Sequence, residues 1–133
     1  MNTSHPLFTA TLQAFHQAYA PYSGFAVGAA ILSSEGRIYA GCNVENISYP
    51  CGSCAEQSAI SAMITGGDRH IQEIVILADG KDLITPCGAC LQRLNEFGTP
   101  ETLVHLGTPQ GIQKTLSLAQ LLPFGFNDKA LRK

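Results

Sequence analysis

Phe8, Leu12, Phe15 and Tyr19 recur at three- and four-residue intervals, which predicts an amphipathic helix over residues 4–19. Ala20-Pro21-Tyr22-Ser23-Gly24 breaks it. Residues 25–32 are almost continuously apolar with small side chains and read as a strand. Ser33-Ser34-Glu35-Gly36 is a turn signal, after which residues 37–43 return as the second strand of a hairpin. Residues 43–53 are irregular and rich in Asn, Ser, Pro and Gly. Ala55, Ala59, Ala62 and Met63 then share one face of a helix over 54–65, with Ser53 as the expected N-cap and Gly66-Gly67 as the stop. Residues 74–78 are apolar throughout, the pattern of a strand covered on both faces. Thr85-Pro86-Cys87-Gly88-Ala89-Cys90 opens a further helix, which Gly98 ends after Phe97. Residues 102–106 and 112–116 read as strands, and 117–122 as a short helix before Pro123.

The element order predicts the α/β class, with a mixed sheet between helices. An early antiparallel hairpin is followed by strands that alternate with helices and pair in parallel. The 133 residues fit a single domain, 1–133, and 45% apolar against 14% charged residues supports a packed core. A net charge of −2 argues against a broad basic face for nucleic acid or for an anionic membrane. No apolar run approaches the roughly 18 residues of a membrane span. The start, Met1-Asn2-Thr3-Ser4-His5-Pro6, lacks the features of a secretory signal. A cytoplasmic location is therefore expected, where thiols stay reduced.

In that setting five cysteines point to a metal or to catalysis. Two Cys-x-x-Cys pairs stand out: Cys51-Gly52-Ser53-Cys54 and Cys87-Gly88-Ala89-Cys90. Four thiolates could close a structural zinc site, or three could ligate and leave the fourth position to water. The second pair alone could also be a redox dithiol at a helix start. Glu56 favours the catalytic zinc reading. Cys54-Ala55-Glu56 followed downstream by Pro86-Cys87-Gly88-Ala89-Cys90 is the arrangement of zinc deaminases. The chemistry needs a carboxylate beside the activated water to move its protons. Cys54 and the Cys87/Cys90 pair fall at predicted helix N-termini, where backbone N–H groups favour thiolate. Cys42 reads as a small residue in a strand pattern and Cys51 as a loop or core thiol.

Beyond these motifs the chain resembles the free-nucleoside cytidine deaminases from about Ala18 to Phe126. The resemblance rests on residues 18–30, on Gly41-Cys42-Asn43-Val44-Glu45-Asn46-Ile47-Ser48-Tyr49 leading into Cys54-Ala55-Glu56, and on Pro86-Cys87-Gly88-Ala89-Cys90 with Gln92. Leu121-Leu122-Pro123-Phe124-Gly125-Phe126 adds a weaker match. The resemblance implies a three-layer α/β/α fold with about five strands. It implies hydrolytic deamination of cytidine and 2′-deoxycytidine, with water activated on zinc attacking C4 and ammonia leaving. One Zn²⁺ per subunit would be held by Cys54, Cys87 and Cys90, with Glu56 as the proton shuttle. Asn43 and Glu45 would hold the ribose hydroxyls, Phe25 would pack on the base, and the Ala55 backbone would meet the base carbonyl. Phe126 would reach into a neighbouring subunit's site. The resemblance further implies a homotetramer with sites at subunit interfaces, acting on free pyrimidine nucleosides, with no nucleic-acid or membrane partner. A modified cytidine, a nucleoside antibiotic and a closed non-enzymatic zinc module are the competing readings.

Two positions depart from that pattern. Short members carry Arg directly after the Glu and directly after the last ligand, where this chain has Gln57 and Leu91. Three thiolates with Zn²⁺ sum to −1, so the missing arginines leave the site more negative. Gln57 is expected to donate a hydrogen bond to a ligand thiolate instead.

Overall fold

His5 opens the first helix by accepting the Leu7 N–H on Nδ1 at 3.1 Å. Pro6, which has no N–H to lose, occupies the first turn. Helix α1 therefore spans Pro6–Gln17 and stops short of Tyr19. The Tyr19 N–H is drawn away to the carbonyl of Asn43 at 3.0 Å, a pairing that local periodicity does not reveal. The structure is a computed structural model that describes residues 1–131. Arg132 and Lys133, the end of the expected domain 1–133, lie outside the described residues.

Strands β1 (Val27–Ser33) and β2 (Ile38–Cys42) form the predicted antiparallel hairpin, closed at Gly36 with φ 84°. Helix α2 covers Ala55–Thr65 and β3 covers Ile71–Ala78. The third strand starts earlier than the sequence pattern suggests. Its first residues are Ile71, exposed Gln72 and half-buried Glu73, and they lack the apolar continuity of the remainder. Helix α3 (Gly88–Phe97), β4 (Leu103–Thr108), β5 (Gly111–Ser117) and the single turn α4 (Leu118–Leu121) complete the order. Ser117 and Gln120 form a reciprocal capping box on α4.

The sheet runs β2-β1-β3-β4-β5. Within the sheet β3 and β4, joined through α3, pair in parallel, whereas β1–β2, β1–β3 and β4–β5 are antiparallel. Side chains that alternate along the strands build a core on each face. Ala29, Ile31, Ile74, Ile76, Val104 and Leu106 pack with α2 and α3, through Ala59, Met63, Leu91 and Leu94. Ala30, Val75 and Leu77 face the other way, against Leu7 and Phe8 of α1. The fold is thus α/β, a five-stranded mixed sheet between helical layers, as expected. One buried polar residue on the sheet, His105, is satisfied by Thr115 Oγ1 and Glu73 Oε1, each at 2.7 Å.

Candidate active site

Two helix N-termini meet beside the segment that follows β2. Cys54 itself, and not Ser53, caps α2: its Sγ accepts the Gln57 N–H at 3.4 Å. Ser53 is engaged elsewhere, exchanging both backbone hydrogen bonds with Val44 at 2.9 Å. That bridge, with Glu45 N–H to Tyr19 O at 2.9 Å on the other side, holds residues 43–45 next to Cys54. Cys87 caps α3, and Cys90 lies one turn on, buried.

The sulfurs of Cys54 and Cys90 stand 2.7 Å apart. That is longer than the ~2.05 Å of a disulfide bond, and both thiols are free. A carboxylate oxygen of Glu56 joins them, the three donor atoms lying within 4.8 Å of one another. Glu56 is only 5% exposed, and burial pushes its pKa up. The Cys54 thiolate adds to that shift, while the start of α2 and Arg93 oppose it. The hydrogen bond from Cys90, with the Gln57 N–H and the Arg93 charge behind it, lowers the Cys54 pKa to about 6. Cys90, as donor to Cys54 and buried, is pushed up.

Two of the three expected sulfur ligands and the expected carboxylate therefore converge. Cys87 is exposed and stands outside the 4.8 Å group, yet close enough for its charge to raise the Cys90 pKa. Cys51 also stands outside the group: it is exposed at the end of a one-turn 3₁₀ helix, with its Sγ 3.5 Å from Ser48 Oγ. Cys42 is half-buried on β2. The donor set of two sulfurs and a nearby carboxylate suits zinc, with Cys87 one helical turn from Cys90 as the available third sulfur.

Among the expected nucleoside-binding residues, Asn43 and Glu45 lie in the segment that the Val44–Ser53 bridge holds beside Cys54. Asn43 Nδ2 donates to Phe25 O at 2.8 Å and its Oδ1 accepts from Val27 N–H at 2.9 Å, which pins half-buried Phe25 where β1 begins. Glu45 Oε1 accepts from the Tyr22 and Ser23 N–H groups at 3.0 and 3.1 Å, and Oε2 from the Ser23 hydroxyl. The Ser23 hydroxyl holds the Glu45 carboxyl below its usual range. A pocket of about 300 Å³ opens beside Glu45, lined by Tyr22, Ser23, Glu45, Asn46 and Tyr49; Phe25, Asn43, Ala55 and the thiol–carboxylate group are not part of its lining. Ala55 is fully buried at the head of α2.

Gln57 meets Cys54 through its backbone N–H, and its side chain makes no hydrogen bond to either sulfur among the described residues. The group that reaches the sulfurs was not among the expected site residues. Arg93 Nη1 lies 3.7 Å from Cys90 Sγ and 4.0 Å from Cys54 Sγ. Its spacing of three residues from Cys90 on a helix is the sequence signal that could have found it. Gln92 and Asn95 of the same helix clamp the tail. Gln92 Nε2 donates to Phe126 O at 2.6 Å, Gln92 Oε1 accepts from Phe126 N–H at 3.1 Å, and Asn95 Nδ2 donates to Phe126 O at 2.9 Å. The Phe126 ring is left 62% exposed.

A mixed five-stranded sheet that presents two thiols and a buried carboxylate at paired helix starts is the architecture of a zinc-binding deaminase domain. The chain belongs to the cytidine and deoxycytidylate deaminase family, whose zinc-binding-region model matches residues 1–106. Among its relatives are the cytidine deaminases of Sporosarcina psychrophila and Halalkalibacterium halodurans. The first is 38% identical over 94% of this chain and 92% of its own length, the second 40% identical over 90% and 91%. Among solved structures, the cytidine deaminase of Burkholderia pseudomallei matches with a TM-score of 0.86 at 40% identity. The match covers 94% of this chain and all of that one. The cytidine deaminase of Mycobacterium tuberculosis matches with a TM-score of 0.76 at 38% identity, over 90% of this chain and 93% of the other.

Proposed function

We propose that the chain is a hydrolytic deaminase of free cytidine and 2′-deoxycytidine, releasing uridine or 2′-deoxyuridine and ammonia. The observation that carries this reading is the convergence of Cys54, Cys90 and buried Glu56 at two helix N-termini. Its relatives support the substrate, since those named above are cytidine deaminases. Cys54, Cys87 and Cys90 would hold one Zn²⁺ per subunit. When bound, zinc supplies Lewis acidity that brings the pKa of a water down towards neutrality.

Glu56 does the proton work. It takes a proton from the water that adds to C4 and delivers it to N3 of the ring. It then carries the remaining water proton to the amine, the C4–N4 bond breaks, and ammonia leaves. Burial suits this cycle, because a carboxyl whose pKa is raised holds a proton more readily between the two transfers. Around the sugar, Glu45 already accepts three hydrogen bonds and is fixed in place to receive a ribose hydroxyl, with Asn43 beside it. Phe25 packs on the base, and the Ala55 backbone meets the base carbonyl.

The assembly we propose is a homotetramer. In a single chain the Phe124 ring is 95% exposed, and Ile47, Tyr49 and Phe126 are also turned to solvent. We read these exposed side chains as surface available to a neighbouring subunit. The clamp from Gln92 and Asn95 presents the Phe126 ring outward, as a residue entering a neighbouring site requires. We read the chain as one domain. No described helix is long and apolar enough to cross a membrane, and free ligand thiols fit a reducing cytoplasm.

The test is the absorbance change from cytosine to uracil on a substrate panel with zinc-loaded protein. Cytidine and 2′-deoxycytidine are expected to turn over, and cytosine in a short single-stranded DNA is not. Turnover confined to an N4-modified or antibiotic nucleoside would move the substrate class. Zinc held with no turnover of any nucleoside would select a structural zinc module.

A further inference from the structure

We propose that Arg93 is the charge-compensating positioning residue of the zinc–thiolate site, reaching it from α3. The inference rests on the zinc-deaminase reading above. Three observations carry it. Arg93 Nη1 approaches both converging sulfurs, Cys90 at 3.7 Å and Cys54 at 4.0 Å. The neighbouring alternatives are closed: Gln57 offers the sulfurs only its backbone N–H, and Leu91 is 8% exposed within the core that packs α2 and α3 on the sheet. Finally, residues 90 and 93 lie one turn apart on one face of α3, so the cation reaches the sulfurs from the solvent side without disturbing the packing.

The physical need is charge. Three thiolates around a divalent ion carry one net negative charge, and one guanidinium beside two of them brings the cluster to neutrality. Arginine suits the task better than lysine, because its planar fork can face two sulfurs at once. Arg93 touches no reacting atom in this scheme. It acts through the thiolates, stabilising the charged form in which they hold zinc.

The experiment follows the rate at which zinc passes from the purified holoenzyme to a coloured chelator, beside the melting temperature of the metal-free protein. The variants are Arg93→Gln, Arg93→Lys and the double variant Arg93→Gln/Gln57→Arg. Loss of a partner that supports metal ligands typically costs about 10- to 100-fold in affinity. Arg93→Gln is expected to release zinc about tenfold faster, with Arg93→Lys between it and the wild type. Gln57→Arg, which returns the cation from α2, is expected to recover most of the loss. The metal-free melting temperature should be unchanged, because the side chain is exposed. Release from Arg93→Gln within about threefold of wild type overturns the proposal, and so does a loss that Gln57→Arg leaves unrepaired. If that happens while the wild type holds zinc and deaminates cytidine, the proposal alone fails. A wild type that binds no zinc overturns the deaminase reading and the proposal together.

Discussion

Cys51 and Cys87 are both exposed cysteines in Cys-x-x-Cys pairs, yet the structure treats them differently. Cys87 caps α3 one turn before Cys90, whereas Cys51 ends a 3₁₀ turn and faces Ser48. Cys87→Ser is expected to lose most bound zinc and Cys51→Ser to retain it, as counted by metal analysis of the purified variants. Loss of zinc from both variants would select a closed four-thiolate site. At this scale much was legible, because ligand chemistry constrains spacing: Cys54, Glu56 and Cys90 announce themselves by interval and residue type. Arg93 did not. A charged residue on a helix reads as solvated until the face that carries Cys90 is known. Nor could the sequence show that Gln57 would serve through its backbone, since that depends on Cys54 being the cap.

At the scale of elements, the site depends on how closely α2 lies on the hairpin. Gly41 of β2 makes that approach possible: a Cβ there would stand 2.5 Å from Ala59 N and 2.7 Å from Ser58 Cβ. Gly41→Ala is therefore expected to cost about 1–3 kcal/mol, the usual range for overpacking against a fixed neighbour. It should also lower turnover, because α2 carries Glu56. Denaturant unfolding and initial rates check both, and an unchanged midpoint would show that α2 can shift freely. Strand and helix identities followed from periodicity. The boundaries that moved did so for long-range reasons. Tyr19 left its helix to pair with residues 43 and 45, and Ser53 gave up the cap of α2 to pair with Val44. Polar Gln72 and Glu73 hid the start of β3.

The whole molecule is tied together by polar links as well as by its two cores. Asp68, buried between α2 and β3, accepts from Ser33 Oγ at 2.7 Å, Arg37 Nη1 at 2.7 Å and Tyr39 OH at 3.0 Å. The Ser33 hydroxyl, helped by Tyr39 and Arg37, holds its carboxyl below the usual range. A carboxyl whose pKa is depressed on folding contributes stability above its unfolded pKa of about 3.9, and loses it as pH falls through the folded value. Asp68→Asn should therefore melt below the wild type at neutral pH, with the gap narrowing below about pH 4. A gap independent of pH would mean that the carboxylate charge contributes nothing. The sheet order β2-β1-β3-β4-β5 was not legible from the chain, because β1 takes β3 as its second neighbour through contacts distant in sequence.

The central claim is that Glu56 moves the protons of a deamination beside thiolate-held zinc. The most direct measurement is ammonia release from cytidine by the wild type and by Glu56→Gln, with the zinc content of both determined. The expected result is steady release by the wild type and a fall of about 10³-fold or more in the variant at equal zinc content. Equal rates in the two proteins would contradict the account.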